Sequence, residues 1–392
     1  MVSNSKRVIF IVVLLFIALG QYYIDIYLPA FPDIQNDFRT THDMVQYTLS
    51  VYLLALGLSQ LIYGEYADSY GRKNPLIIGF VLSIIGTLVS IFSNSIEMLI
   101  VSRIIQGCGL GSMVAVGVPI CVDIFKGKEL LVAFLYLTLA VSLPPIIAPF
   151  IGGTILLWFS WKIIFVLLLL LSVIIFFLVL FWLPETNMKP TGAFSVKKLV
   201  KNTLYVLSHY EFICATMIMV FAWSVIIIFN ALGPFLFQLK FNFTPYQYGI
   251  ITLILGFSYF TAILLNRLLV RYYAPFTLTI VSVITALIVG VLFFFTEFFI
   301  GCSPFGVIIF VFLIIFPAGV LYSNCMAISL EKFKDNTGIA IAVQQLIQLV
   351  GWSAITVIIS MCGYTVIILS SACLIAATLG TMFLCLYLYR KK

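Results

Sequence analysis

Between Ile163 and Trp182 the chain reads IIFVLLLLLSVIIFFLVLFW, a run without one charged, amide or imidazole side chain. A helix rises 1.5 Å per residue, so about 20 such residues cross the ~30 Å hydrocarbon core of a bilayer. In water the same helix would be apolar on every side, with no face to present to solvent. Comparable runs recur along the chain, and hydropathy marks twelve: 8–30, 44–65, 74–93, 97–119, 130–156, 162–183, 211–236, 246–266, 274–296, 303–329, 337–361 and 364–389. Residues are 63% hydrophobic and 9% charged, whereas a water-soluble fold carries roughly a quarter charged. The short alternating segments of a membrane β-barrel are missing. The expected fold is an all-α membrane protein of twelve transmembrane helices.

Charge sets the expected orientation. With the N-terminus in the cytoplasm, seventeen of the 21 Lys and Arg fall on the cytoplasmic side, three (Arg39, Lys162, Lys240) on the other, and Arg103 within a span. Positive residues favour the inside, so both termini are expected in the cytoplasm. The net charge of +7 is spread over short loops with no basic patch or aromatic interleaving, which argues against nucleic acid as a partner. The first apolar run follows Lys6 and Arg7 but is too long for a secretory leader and lacks a small-residue cleavage site, so it is read as a retained helix. The eight cysteines lie in or near apolar spans without metal-type spacing and are expected as small apolar residues, with no metal and no cofactor. His42 and His209 fall at span ends.

The longest polar connection, LPETNMKPTGAFSVKKLVKNTLYVLSHYE, divides the spans six and six. It gives an N-terminal half over 1–183, a cytoplasmic linker over 184–210 with a short basic amphipathic helix against the inner leaflet, and a C-terminal half over 211–392. Transporters built from paired halves place the substrate near the midplane between them. Polar residues fit that plan. Inside their first residues (Asn74 in the third, Lys162 in the sixth), the third, sixth, ninth and twelfth spans hold no Asp, Glu, Lys, Arg, Asn, Gln or His and suit a lipid-facing position, while Gln21, Asp25, Gln46, Gln60, Arg103, Gln106, Asn230, Asn324, Gln344, Gln345 and Gln348 mark spans that turn toward an interior.

Asp25 and Arg103 stand out, since a charge at the centre of a span costs about 2.5–3.5 kcal/mol on insertion scales. If the first helix ends near Phe31, both lie six residues below the outer surface, roughly 9 Å deep, and are expected to pair. Gln106, three residues on from Arg103, points the same way. A carboxylate there can load a proton on one side and release it on the other; the alternative is a permanent ion pair that only fixes helix packing. Gln21, Tyr22 and Tyr27 surround the acid in GQYYIDIY and are expected to line a substrate cavity, joined from the second half by Asn230, Asn324, Gln344 and Gln348. For these four, hydrogen bonding between helices without substrate contact is an equal expectation.

GEYADSYGRKNP occupies the inner loop after the second span. Gly64 and Gly71 permit a tight reversal, Asp68 ends one helix, and Arg72 and Lys73 start the next. Through Gly64, Asp68, Gly71, Arg72 and Lys73 this loop resembles the signature of the major facilitator superfamily. The resemblance implies a gating latch in which Asp68 pairs with Arg72 and faces the start of the eleventh span, after KDNTG, with Asp123 also able to take Arg72. RIIQGCGLG resembles the fourth-helix motif of proton-coupled members, and DIYLPAFPDI the first-helix signature of the twelve-span drug:proton antiporters, the Bcr/CflA group in particular. PPIIAPFIGG resembles their fifth-span antiporter motif through Pro149, Gly152 and Gly153, which would let helices pack closely, although Ala148 replaces the usual glycine before the proline. The loop NRLLVRYYAPF, equivalent in the second half, keeps only basic residues.

The expected protein is thus a bacterial inner-membrane transporter, monomeric, exchanging inward protons for outward-moving small organic compounds or drugs. A narrow exporter of one metabolite such as a siderophore, or a proton-coupled importer, remains the alternative. An enzyme is not expected: no nucleophile with its base and no His-rich metal set lies within the spans. No Walker-type phosphate loop is present.

Overall fold

A computed structural model describes residues 4–187, 192, 194–333 and 337–391. Twelve helical segments among them are long and apolar enough to cross a membrane, from Lys6–Phe38 to Val366–Arg390. The termini share one face, and the loops after the first, third and fifth spans lie on the far face. Exposed aromatic residues gather at span ends, Trp158, Phe298 and Phe299 on the far face, Trp182, Tyr272 and Tyr389 on the termini face. Such rings favour the membrane–water boundary.

The first span is broken rather than continuous to residue 30. Helix α1 (Asn4–Asp25) stops, a 3-10 turn covers Leu28–Ala30, and α2 (Phe31–Phe38) completes the crossing. The cause is local. Pro29 has no N–H for the carbonyl of Asp25, and its ring would collide with that carbonyl in a helix. Pro32 then sits in the first turn of α2, where a missing donor is harmless. The fifth span breaks in the same manner: Pro144 and Pro145 divide α6 (Gly127–Ser142) from α7 (Pro144–Ile155).

The unbroken spans of the first half are α3 (His42–Tyr70), α4 (Lys73–Ile91), α5 (Ile96–Ile124) and α8 (Lys162–Trp182). Helix α9 (Val196–Leu207) in the connection carries Lys197, Lys198 and Lys201 and packs on the second half. There the spans are α10 (Tyr210–Phe235), α11 (Pro245–Leu269), α12 (Pro275–Phe299), α13 (Pro304–Leu330), α14 (Thr337–Ser360) and α15 (Val366–Lys391).

Burial follows the polar pattern. The first, second, fourth and seventh spans are 61–67% buried over their apolar windows, the third, sixth, ninth and twelfth 33–44%. The eleventh, with Gln344, Gln345 and Gln348, departs from it at 39%, and the fifth, with none of the marking polar residues, is 29% buried. In the broken fifth span only α7 packs closely on the second half, while α6 rests on α1, α5 and α7.

The halves meet along two seams, α3 against α14 and α7 against α11. On the first, Ser50 and Thr356 share a hydrogen bond (2.7 Å) and Ser353 donates to the Ser50 carbonyl (2.8 Å). On the second, a Cβ on Gly153 would lie 2.5 Å from the Pro245 carbonyl oxygen. Toward the far face aromatic rings close the centre, Phe31 on Phe235 (5.8 Å) and His42 on Tyr364 (5.2 Å).

Candidate functional site

Asp25, 3% exposed, is the last residue of α1. Its carboxylate does not pair with Arg103. Asn230 Nδ2 of α10 donates to Asp25 Oδ1 (3.0 Å), and Gln238 Nε2, just beyond α10, donates to the Pro29 carbonyl (2.8 Å). The break in the first span is therefore held from the other half at both ends. Asn230 stands four residues before Pro234, as Asp25 stands before Pro29, so each occupies a carbonyl that a proline strips of its helical partner. The first spans of the two halves thus place an acid and an amide at matching positions, facing one another.

Arg103 is fully buried within the first half. Its guanidinium lies over the rings of Tyr52 (4.1 Å) and Tyr27 (4.4 Å), Nη1 donates to Gln106 Oε1 (2.6 Å), and Nη2 donates to the Tyr23 carbonyl (2.9 Å). Two aromatic faces, an amide and the negative carbonyl end of α1 hold the cation without a carboxylate, Nε being left unpaired among the described residues. Arg103 reaches the end of α1, as its depth in the fourth span predicts, but instead of pairing with Asp25 it fastens the backbone of α1 next to the acid.

The same network corrects two cavity expectations. Gln106 donates to Ser90 (2.9 Å) and Thr87 (3.3 Å), and Tyr27, fully buried, shares its hydroxyl with Thr48 (3.2 Å). Both belong to the interior of the first half. Gln21 and Tyr22 are half-buried. Asn324 and Asn266 of α11 exchange hydrogen bonds through their side-chain amides (3.0 and 3.3 Å), Gln344 donates to Ser329 (2.6 Å), and Gln348 accepts from Tyr322 (3.4 Å). These three tie helices within the second half, the packing reading of the two that the sequence allowed. Among the four second-half residues, Asn230 alone crosses to the first half by a hydrogen bond among the described residues.

Asn230 also lines a recess between α6, α7, α10, α11 and α13, with Pro145, Ile146, Trp223, Phe229 and Tyr259. Its ≈ 40 Å³ admits a few water molecules at most, against several hundred Å³ for a drug-sized ligand. Trp223 is the hub of an aromatic cluster, with Tyr259 at 4.7 Å, Tyr322 at 5.3 Å and Trp352 at 5.9 Å. No signal separated these four from the other aromatic residues in the sequence. Gln46 is fully buried with neither amide atom paired among the described residues.

On the termini face Arg72 joins Asp68 (2.5 Å) and Asp123 (3.2 Å), as the loop motif implied. Among the described residues, the bonds made by Asp68 are to Arg72 through its carboxylate and from Asn187 Nδ2 to its carbonyl (3.3 Å), rather than to the start of the eleventh span; Lys334–Asn336, just ahead of that span, fall outside the described residues. Gly71 turns the chain at φ +105°, a conformation side chains resist. Gly64 lies inside α3, which runs to Tyr70, and takes no part in the reversal. Glu185 was not anticipated. Its carboxylate accepts from the backbone N–H of Arg72 (2.8 Å), Lys73 (3.1 Å) and Asn187 (2.8 Å), and Lys73 Nζ donates to the Leu180 carbonyl (2.8 Å). Partial burial pushes the Glu185 carboxyl up, but these N–H bonds outweigh it and hold it below the usual range.

Pro149, Gly152 and Gly153 fit the packing role. A Cβ on Gly152 would stand 1.8 Å from the Ile26 carbonyl oxygen, so α7 touches the broken end of α1 through bare backbone.

Residues 10–356 match the Major Facilitator Superfamily. The chain is 26% identical over 343 residues to multidrug resistance protein D of Escherichia coli, covering 87% of this chain and 85% of that protein. It is 31% identical over 189 residues to a bicyclomycin resistance protein homolog of Haemophilus influenzae, 47% of this chain and 48% of that protein. Its fold is similar to that of a D-xylose–proton symporter, with a TM-score of 0.76 at 15% identity over 96% of this chain and 97% of the other. With this match along most of its length, twelve spans and paired halves, the chain belongs to the Major Facilitator Superfamily, a family of membrane transporters for small molecules rather than enzymes.

Proposed function

We propose that this transporter exports small organic compounds, drugs among them, in exchange for protons, by alternating access in the inner membrane of a bacterium. Both termini face the cytoplasm, the working unit is a monomer, and no cofactor is required. The names of its relatives support drug export, and the charge asymmetry supports the orientation. The observation that carries proton coupling is the Asn230–Asp25 hydrogen bond, an acid held across the seam between halves at a break in its own helix.

Closing the far seam removes the Asp25 carboxyl from water, which costs an ion far more than a neutral acid. A proton taken from outside therefore favours the closed seam, where the Asn230 amide donates to the acid's carbonyl oxygen. Once the cavity opens to the cytoplasm the proton leaves as a solute loads, and the ionised acid favours reopening. Each charge moved through 100 mV contributes about 2.3 kcal/mol. Arg103 keeps the end of α1 in place, and the aromatic cluster around Trp223 offers faces to a flat or amphipathic solute.

Everted vesicles with a preformed pH gradient test this, using bicyclomycin and a panel of antibacterial compounds. The parent should dissipate the gradient on addition of a transported compound, and Asp25→Asn at matched expression should not. An equal response from both would remove Asp25 as the proton site. A response to one compound alone would mark a narrow exporter.

A further inference from the structure

Tyr248, near the start of α11, is fully buried, yet its hydroxyl has no hydrogen-bond partner among the described residues. A buried donor left unpaired is uncommon in folded proteins and calls for an explanation. Its surroundings supply one. The ring stacks on Phe229 (6.0 Å, 17° between planes), and the hydroxyl oxygen lies 3.1 Å from where a Cβ on Gly233 would be. Phe229 and Gly233 flank Asn230 on α10, one adjacent and one about a turn further on. The absence of a side chain at position 233 is what leaves room for the hydroxyl beside the stretch that reaches Asp25.

The other titratable groups around the acid are already engaged. Tyr23 bonds to Ser172 (2.7 Å) and Thr87 (2.8 Å), Tyr27 to Thr48, and Tyr52 to the Gly20 carbonyl (3.2 Å), while Arg103 is taken by Gln106 and the Tyr23 carbonyl. Arg103 Nε is also unpaired among the described residues, but it belongs to the first half; of the four tyrosines Tyr248 alone has a free hydroxyl, and it comes from the second half.

Resting on the proton-coupling reading above, we propose that Tyr248 is a positioning residue of the coupling site, its hydroxyl donating to the Asp25 carboxyl through a bridging water while the far seam is closed. No proton is transferred from the phenol; the bond orients the carboxyl and ties it to the second half beside Asn230. Asp25 then has two second-half donors, from α10 and α11, and both are withdrawn when the halves part.

Infrared difference spectra of the full chain in liposomes, recorded as the buffer is cycled between acid and alkaline, read this with the proton itself as probe. The carboxyl C=O band of Asp25 is assigned by its loss in Asp25→Asn. Tyr248→Phe, which keeps the ring and its stacking, should move that band to higher wavenumber, as loss of a donor to the carbonyl does. Phe229→Leu, which loosens the same packing without touching the hydroxyl, should leave the band within its line width. An unmoved band in Tyr248→Phe, or an equal displacement in Phe229→Leu, overturns the proposal. A parent spectrum with no band sensitive to Asp25→Asn removes the proton site itself, a failure distinct from that of Tyr248 alone.

Discussion

The acid at the end of α1 shows what one residue contributes and what surrounds it. Gly152 leaves the Ile26 carbonyl no space to spare, so Gly152→Ala forces α7 and the broken end of α1 apart. Its expected cost is about 1–3 kcal/mol of stability, read as a lower unfolding temperature in detergent, with transport reduced. Glu185 gives a pH dependence of known sign. A carboxyl held below its usual range adds stability above the unfolded value, and that stability is lost as pH falls through the lowered folded one. The purified chain is therefore expected to lose thermal stability on acidification through and below the ordinary Glu range, near 4, and Glu185→Gln to flatten that part of the profile. An unchanged profile would deny Glu185 this role. Asp25 and Arg103 were legible in the sequence because a charge in an apolar run needs a reason. Their partners were not. Cation–π contacts and a backbone carbonyl hold Arg103, and neither leaves a mark in residue spacing.

At the scale of elements, proline placement explains most of what hydropathy could not. Hydropathy located the spans but drew the first as a single helix ending at 30, although Pro29 and Pro32 were there to be read. Pro29→Ala restores an N–H to the carbonyl of Asp25 and lets α1 continue. The expected result is stability kept within about 1 kcal/mol, with exchange slowed ~10-fold or more because the discontinuity lining the site is lost. Comparison of unfolding temperature with transport rate separates these effects; equal exchange by the variant would make the break incidental. The matched positions of Asp25 and Asn230 before their prolines were likewise present in the sequence. They were obscured because the second-half loop NRLLVRYYAPF has lost its motif, which draws attention away from a repeat that persists in the helices.

For the whole molecule, the far seam combines short polar and glycine contacts with the ring pairs Phe31–Phe235 and His42–Tyr364, and its opening must part both. Ser50 and Thr356 touch across it at 2.7 Å, so Ser50→Cys with Thr356→Cys is expected to form a disulfide on oxidation, stop transport, and recover on reduction. Full transport by the cross-linked form would exclude parting of this seam. The twelve-span plan was readable because hydrocarbon permits so few solutions; the pairing of one half with the other was not, since it depends on which face of each helix turns inward. The most direct test of the coupling is proton release by the purified chain in lightly buffered detergent when a transported compound binds, with bicyclomycin as the first probe. Release from the parent and none from Asp25→Asn, under conditions where both bind the compound, is the expected result. Equal release from the two would contradict it.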